Sequence, residues 1–282
     1  MNTSFPLLFV SHGAPSFAIE PGLAGEKLAA LGRQLPQPDA IVILSPHWIT
    51  RDHVSVTASM YPKTIHDFGG FPDALYELSY PAPGAPELAS HIVELLQTAG
   101  WDSRLDPVRG LDHGAWVPLR YLAPDAGIPV VQVSMPAILD TRSAWELGLA
   151  LKPLREMNVL IVASGSLTHN LYEFRGSTSH GADYVKQFAA WTAETLHAAN
   201  IDQLLDYKRY APSAERAHPT DEHFLPLFIA LGAAGENYQT QVLEGGITHG
   251  VLAMDSYLFT SPAVPFAHEA PFTSVQPVKG VA

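Results

Sequence analysis

The sequence predicts a single-domain α/β protein with a mixed central β-sheet and helices on both of its faces. Two observations carry this prediction: apolar runs typical of buried strands alternate with amphipathic runs typical of helices, and the alternation recurs along the chain. With 282 residues and no internal repeat or long linker, the chain fits one large domain. We expect that domain to span residues 1–260, with a proline-rich tail over residues 261–282.

The chain opens with a strand, a helix and a second strand. Pro6 to Val10 is an apolar run without preceding basic residues, so we interpret it as the first strand and not as a secretory leader. Leu23 to Leu35 spaces its leucines like one face of a helix, and the prolines that follow end it. Ala40 to Leu44 is the next predicted strand.

The same alternation continues toward the carboxyl terminus. The predicted helices are Glu87 to Ala99, Thr141 to Met157, Ala182 to Ala199, and one that begins near His223 and ends at Gly232. The predicted strands are Val130 to Ser134, Val159 to Ala163, and a terminal pair at Tyr238 to Leu243 and Gly250 to Phe259. The segment Tyr61 to Pro86 is rich in proline and glycine and is predicted to be a loop that covers a site.

Composition argues against several classes of partner and site. The formal net charge is −12 and no stretch is rich in lysine or arginine, which argues against a nucleic-acid partner. No apolar run approaches the ~18 residues of a membrane span. The chain has no cysteine, so histidine and carboxylate remain as its strong metal ligands. We expect a cytoplasmic protein that acts on a small molecule.

Three of the predicted strands are followed by a polar corner that carries a histidine. The corners are Ser11-His12-Gly13, Ser45-Pro46-His47-Trp48 and Ser164 to His169. Ligands of open α/β sheets bind outside the carboxyl ends of the strands, so histidines at such ends can converge on one point. The pattern predicts a metal site, although a histidine in such a corner can also be a loop residue that bonds only to the backbone.

Two polar segments near these corners can contribute to the same site. Ser166 lacks the spacing of a nucleophile elbow and is predicted to be a turn residue. His169 can transfer protons near neutral pH, or bind a metal. Further on, Thr220 is a candidate N-cap for the last helix, with Asp221 and Glu222 as partners of its dipole.

Other histidines lie beside glycines and aromatic residues. The segments Asp112-His113-Gly114 and His66 to Pro72 are typical of a flat apolar pocket with a few polar groups, and also of structural turns. The six remaining histidines are expected to be surface or core residues: His53, His91, His180, His197, His249 and His268.

Six motifs together resemble the DOPA-dioxygenase branch of the class III extradiol ring-cleavage dioxygenases, the LigB superfamily. They are Ser11-His12-Gly13, Ser45-Pro46-His47-Trp48, His66-Asp67-Phe68-Gly69-Gly70-Phe71-Pro72, Asp112-His113-Gly114, Thr168-His169-Asn170-Leu171 and Glu222-His223-Phe224-Leu225-Pro226-Leu227. Their order and intervals over residues 7 to about 231 carry the resemblance. It implies a three-layer α/β/α fold and a non-haem Fe(II) site that Zn²⁺ can also occupy.

The resemblance also implies a role for each histidine of these motifs. The metal ligands would be His12, His47 and His223. His169 would be an acid/base or a fourth ligand, and His113 would bond to substrate or oxygen. The substrate-binding candidates are His66, Trp48 and His218. Glu222 is an alternative, carboxylate ligand, and Asp221 stands where this branch more often has proline.

The expected activity is extradiol cleavage of a catechol. O₂ would be inserted beside the diol of a DOPA-like substrate, by 4,5-cleavage, to give a ring-opened semialdehyde. Two alternatives remain at this point: a zinc hydrolase that uses the three histidines to activate water, and a non-catalytic interaction protein that resembles Memo. The expected partners are the catechol and O₂, and the acidic surface predicts neither a dimer nor a monomer.

Overall fold

A computed structural model describes residues 4–174 and 180–262 of the chain. Its strands are β1 (Leu7–Ser11), β2 (Ala40–Thr50), β3 (Val54–Thr57), β4 (Ser103–Asp106), β5 (Val130–Pro136), β6 (Val159–Gly165), β7 (Gln239–Leu243), β8 (Ile247–Thr248), β9 (Leu252–Ala253) and β10 (Ser256–Thr260). Eight of them form one sheet in the order β4-β3-β5-β2-β6-β1-β10-β7, and β8 pairs with β9.

Helices connect the strands of the sheet. They are α1 (Gly22–Gln34), α2 (Asp73–Tyr76), α3 (Pro86–Thr98), α4 (His113–Leu122), α5 (Thr141–Leu151), α6 (Asp183–His197), α7 (Ile201–Leu205), α8 (Tyr207–Tyr210), α9 (Ala214–Ala217) and α10 (Leu225–Ala234). Short 3-10 segments lie at Pro15–Ala18, Lys152–Met157 and Leu171–Glu173.

The sheet is mixed, as the sequence predicts. Strands β5, β2, β6 and β1 are parallel, whereas β10 and β7 add at one side in antiparallel pairing and β3 pairs antiparallel with β5. The central strands are buried along almost their whole length, which explains their continuous apolar sequences. The predicted terminal strand pair is confirmed in the pairing of β7 with β10, although the second strand begins at Ser256 and not at Gly250, because β9 is a separate strand that pairs with β8.

Two packed pairs of helices flank the sheet. Helix α5 packs on α10, and α1 packs on α4. The inner faces of these helices bury large side chains, such as Trp116 of α4 and Phe228 of α10. The predicted three-layer α/β/α fold is therefore confirmed, with its core between the sheet and the two helix layers.

Three further predicted boundaries near the site or in the helices differ from the structure. Strand β2 does not end at Leu44 but continues to Thr50 through an irregularity in its pairing with β5, so His47 lies within the strand. The helix from Thr141 ends at Leu151, because the 3-10 turn that follows carries a proline near its start. The last helix begins at Leu225 and not at His223.

The sequence prediction also missed β3, β4 and α4. Gly114 and Pro118 within ten residues argue against a helix, yet α4 forms because Asp112 caps it by accepting a hydrogen bond from the Ala115 amide at 3.2 Å. Residues 263–282, which include most of the predicted tail, lie outside the described residues. Within 4–174 and 180–262, no helix is long and apolar enough to cross a membrane.

Candidate metal centre

Parallel pairing brings the carboxyl ends of three strands together. Ser11 of β1 lies opposite Gly165 of β6, and the backbone amide of His12 donates to the Gly165 carbonyl at 2.9 Å. Strand β2 pairs with the other side of β6. As a result, the Nε2 atoms of His12 and His47 lie 3.1 Å apart. Two histidines separated by 34 residues of sequence thus meet at one edge of the sheet.

Three further histidines complete what we call the histidine cluster: His12, His47, His113, His169 and His223. The ring of His113, at the start of α4, lies 3.9 Å from that of His47 between centroids. His169 follows β6 and stacks on His223 at 3.5 Å, with only 10° between the ring planes. The His223 ring is 5.1 Å from the His47 ring.

Hydrogen bonds fix the tautomer of His12. The Ser164 hydroxyl donates to the Gly114 carbonyl, so its oxygen accepts from Nδ1 of His12 at 2.9 Å. Nδ1 therefore carries the proton and Nε2 keeps a free lone pair toward the cluster.

His223 has the same arrangement. Its Nδ1 lies 3.1 Å from the Glu222 carboxylate, and its Nε2 is buried without a hydrogen-bond partner in the described structure. A buried nitrogen lone pair without a donor is unfavourable unless a cation binds it.

The nitrogen positions fit one metal ion. Two ligands about 2.1 Å from a tetrahedral or octahedral ion lie about 3.0 to 3.4 Å apart, which matches the 3.1 Å between the His12 and His47 Nε2 atoms. Atoms within 4.8 Å of one another form two groups: His12 with His47 and His113, and His169 with Glu222 and His223. The predicted ligand set therefore takes two histidines from the first group and one from the second.

Burial keeps four histidines of the cluster uncharged at neutral pH. Burial is the largest cause in each case: it holds the pKa of His12 and of His223 well below the usual 6.5, and lowers that of His47 to about 3 and that of His169 to about 4. Neighbouring histidines lower these pKa values further, because two imidazolium ions would repel each other. Neutral imidazole is the form that binds metals and accepts protons.

A cavity of about 400 Å³ opens beside the cluster. Its apolar walls include Phe68, Phe71, Leu171, Phe174 and Leu252. The polar part of its lining comes from cluster histidines: His47, His113, His169 and His223. Phe68 and Phe71 belong to the segment predicted to cover the site. Flat apolar walls with a few polar groups suit an aromatic ligand.

The three substrate-binding candidates lie outside this lining. Nε2 of His66 donates to the Leu78 carbonyl at 3.0 Å, and Trp48 is buried under the guanidinium of Arg109. His218 is buried, and its Nε2 donates to the Leu167 carbonyl at 2.9 Å. These contacts are to the protein itself, so direct substrate binding by the three residues stays a prediction.

The segment before α10 differs from the prediction. Thr220 does not cap the helix, since its hydroxyl donates to Glu222 at 3.0 Å and Phe224 occupies the N-cap position. Asp221 accepts hydrogen bonds from Tyr207 and Lys208 at 2.9 and 2.6 Å, so it links α8 to this segment and does not act on the helix dipole. Ser166 is a turn residue as predicted, since its hydroxyl donates to the Thr168 carbonyl.

Sequence reasoning missed several residues that position the cluster. Asp67, Ser164 and Gly114 each contact it or support it through a hydrogen bond. All three stand beside histidines or glycines in the quoted motifs, and this position is the sequence feature that could have identified them. His249, expected to be structural, stacks at 4.2 Å on Phe174 of the cavity wall. His268 lies outside the described residues.

The comparisons with known proteins agree with this geometry. The family model described as the catalytic LigB subunit of aromatic ring-opening dioxygenase matches residues 24–260. The chain belongs to the LigB family. A 4,5-DOPA dioxygenase extradiol of Beta vulgaris is 40% identical over 257 residues, which cover 90% of this chain and 96% of that protein. One of Escherichia coli K12 is 39% identical over 262 residues, covering 90% and 94%.

A solved structure extends the match to the fold. The crystal structure of an uncharacterized protein from Escherichia coli K12 is similar with a TM-score of 0.74 and 32% identity, and the match covers 90% of this chain and 99% of that one. This LigB-family protein is thus a metal-dependent aromatic ring-opening dioxygenase of the extradiol type. The predicted resemblance is confirmed, which decides against the hydrolase and the interaction protein.

Gly114 is predicted to be essential for the metal centre. A Cβ at this position would overlap Oγ of Ser45 and lie 2.9 Å from Cδ2 of His47. We expect Gly114→Ala to displace His47, to weaken metal binding, and to reduce turnover about 100-fold, the usual effect of a misplacement near 1 Å. Metal titration and oxygen uptake measure both effects. Gly127→Ala, where a Cβ meets nothing within 4 Å, is the control. Wild-type metal affinity in Gly114→Ala would refute this role.

The buried His218 makes the metal-free protein sensitive to acid. Burial lowers the pKa of His218 from 6.5 to about 4. Between these two pH values the side chain is therefore protonated in the unfolded chain but neutral in the native state. Stability is therefore complete above pH 6.5 and falls as the pH drops toward 4, by about 3 kcal/mol from this residue alone.

Denaturant titrations between pH 4 and 7 measure this linkage. We expect His218→Gln to flatten the dependence of the unfolding free energy on pH by about 1.4 kcal/mol per pH unit in this range. Phe188→Leu is the matched control, because it removes a ring that packs on His218 without removing a titrating group. An unchanged slope in His218→Gln would show that this histidine is charged in the native state.

Proposed function

We propose that this protein is an Fe(II)-dependent extradiol dioxygenase that opens DOPA-like catechols by 4,5-cleavage. The observation that carries the proposal is the histidine cluster, with its unpaired Nε2 of His223 and its adjacent Nε2 atoms of His12 and His47, at the wall of an apolar cavity. We further propose a cytoplasmic enzyme whose partners are a small catechol and O₂, with no nucleic-acid or membrane partner.

The proposed ligands are His12, His47 and His223, with His169 as a possible fourth. Three imidazoles leave further positions on the metal for both oxygens of a diol and for O₂. Bound Fe(II) supplies the one-electron chemistry that O₂ requires, whereas Zn²⁺ is redox-inert. Because imidazole binds both ions, we expect Zn²⁺ to fill the same site without turnover.

His169 is proposed to take the proton that the catechol loses on binding. It lines the cavity beside His223, and its lowered pKa of about 4 leaves the imidazole neutral at pH 7, with a lone pair to which the proton can bind. The same group can return the proton to the ring-opened product. His113 also lines the cavity and is proposed to bond to substrate or oxygen.

The apolar wall is proposed to hold the ring of the substrate. Phe68 and Phe71 pack edge to face with 5.5 Å between their centroids, and they offer flat surfaces for a catechol. Both oxygen atoms of O₂ enter the product: the bond between one hydroxylated ring carbon and its unsubstituted neighbour breaks, leaving a carboxylate and an aldehyde. No other oxidant or reductant is consumed.

Product analysis tests the regiochemistry. Fe(II)-loaded enzyme is given L-DOPA and, separately, 4-methylcatechol, whose product lacks an amine that would condense with the aldehyde. Cleavage on the side away from the substituent leaves a hydrogen on the carbon next to the aldehyde, so the aldehyde proton appears as a doublet in the NMR spectrum. A singlet would indicate cleavage beside the substituent, and no turnover of either diol would overturn the proposal.

A further inference from the structure

Asp67 connects the segment that covers the cavity to the histidine cluster. It lies between β3 and α3, directly before the cavity-lining Phe68. Its Oδ1 accepts from the His113 backbone amide at 2.8 Å, and its Oδ2 accepts from Nδ1 of His113 at 2.9 Å. The same Oδ2 lies 3.6 Å from Nδ1 of His47. One carboxylate therefore faces ring nitrogens of two cluster histidines.

We propose that Asp67 is a positioning residue that sets the tautomer of His113 and the orientation of His47. Its role toward His47 rests on the proposed function, in which Nε2 of His47 binds the metal. Its role toward His113 follows from geometry: a carboxylate can only accept, so Nδ1 of His113 carries a proton, and in the neutral imidazole Nε2 then carries none.

A carboxylate behind a metal-binding imidazole has a known physical effect. It fixes the ring orientation and increases the basicity of the nitrogen that faces the metal. Asp67 is suited to this task because its side chain is only 20% exposed and both of its oxygens accept hydrogen bonds from His113, which hold the carboxylate in one orientation.

The position of Asp67 also links substrate binding to the cluster. Phe68 follows it directly, and the Phe68 ring lies 5.6 Å from the His113 ring in an edge-to-face contact. A shift of this segment would therefore move the cavity wall and the carboxylate together. The orientation of two histidines and the shape of the substrate wall depend on the same short stretch of chain.

A purely structural alternative exists, in which Asp67 only satisfies the first amide of α4. Asp67→Asn separates the two roles. The asparagine oxygen can still accept from the His113 amide, but its NH₂ group would face Nδ1 of His113. That group can only donate, so the imidazole would have to move its proton to Nε2.

The first test needs neither metal nor substrate. Nitrogen-15 NMR of histidine side chains in the metal-free protein distinguishes the two neutral tautomers and the imidazolium ion. We expect His113 to carry its proton on Nδ1 in the wild type and on Nε2 in Asp67→Asn, with the wild-type form retained in Asp73→Asn, an acidic residue of the same segment. Any other state of His113 in the wild type, or no change in Asp67→Asn, would overturn the proposal.

The second test measures the effect on the metal and on catalysis. We expect Asp67→Asn to weaken Co²⁺ binding about tenfold to 100-fold, to alter the Co²⁺ absorption spectrum, and to lower kcat at least about tenfold with little change in KM. Asp67→Glu should restore part of the Co²⁺ affinity and part of kcat. Wild-type Co²⁺ affinity and spectrum in Asp67→Asn would refute the role toward His47. If the wild-type enzyme itself turned over no diol, the proposed function would be wrong, whereas the NMR result on His113 would still stand.

Discussion

Replacing His47 with alanine is expected to empty the metal centre and to reduce ring-opening turnover at least about 1,000-fold. The reason is geometric: Nε2 of His47 lies 3.1 Å from Nε2 of His12, and its loss leaves two of the three proposed ligands. The side chain is 22% exposed, so its removal should leave the fold intact. Metal content of the purified variant and oxygen uptake with Fe(II) measure the two effects.

The matched control for this variant is His53→Ala. His53 lies three residues beyond the end of β2, outside the cavity lining, and its side chain pairs with the exposed Asp52. The His53→Ala variant should retain full metal content and activity. If His47→Ala bound one equivalent of Fe(II) with unchanged affinity and turned over normally, the assignment of His47 as a ligand would be wrong.

The second large effect is expected at His169. His169→Gln should lower kcat by about 10² to 10⁴ while the protein keeps its metal, because the substrate proton loses its acceptor but His12, His47 and His223 remain. His169 stacks on His223 at 3.5 Å, and within the described part of the chain its ring makes no hydrogen bond like those that fix the tautomers of His12 and His223. Stopped-flow measurement of ring opening under Fe(II) gives kcat.

Chemical rescue makes this prediction specific. In His169→Ala, added imidazole should restore part of the rate, since a free base can occupy the space of the missing ring. His91→Gln, on the exposed face of α3, is the control and should behave like the wild type. Full turnover of His169→Ala with intact metal and no added imidazole would exclude the acid/base role. Loss of metal from the variant would make His169 a ligand.

The sheet and two metal-ligand candidates could be predicted because their signals are local in sequence. Continuous apolar runs identify parallel strands that are buried on both faces, and the corner after β1 places His12 at a strand end. The corner at His47 was recognised for the same reason, although β2 continues past it through an irregular pairing with β5. Such an irregularity depends on the neighbouring strand, so it leaves no mark in the sequence of β2 alone.

The supporting contacts could not be predicted because they join residues far apart in sequence. Asp67 and His113 are separated by 46 positions, and Ser164 and Gly114 by 50. Their pairing depends on how segments pack after the sheet forms. Helix α4 was missed for a related reason: its interior proline opposes a helix locally, whereas burial of side chains such as Trp116 favours it in the folded protein.

Oxygen uptake by metal-free protein, reconstituted anaerobically with either Fe(II) or Zn²⁺, tests the central claim most directly. The substrates are L-DOPA, catechol and protocatechuate, added before air is admitted. We expect one O₂ consumed per diol opened with Fe(II), and none with Zn²⁺ although it fills the same histidine cluster. Uptake with Zn²⁺ alone, or no uptake with any of the three diols under Fe(II), would contradict the account.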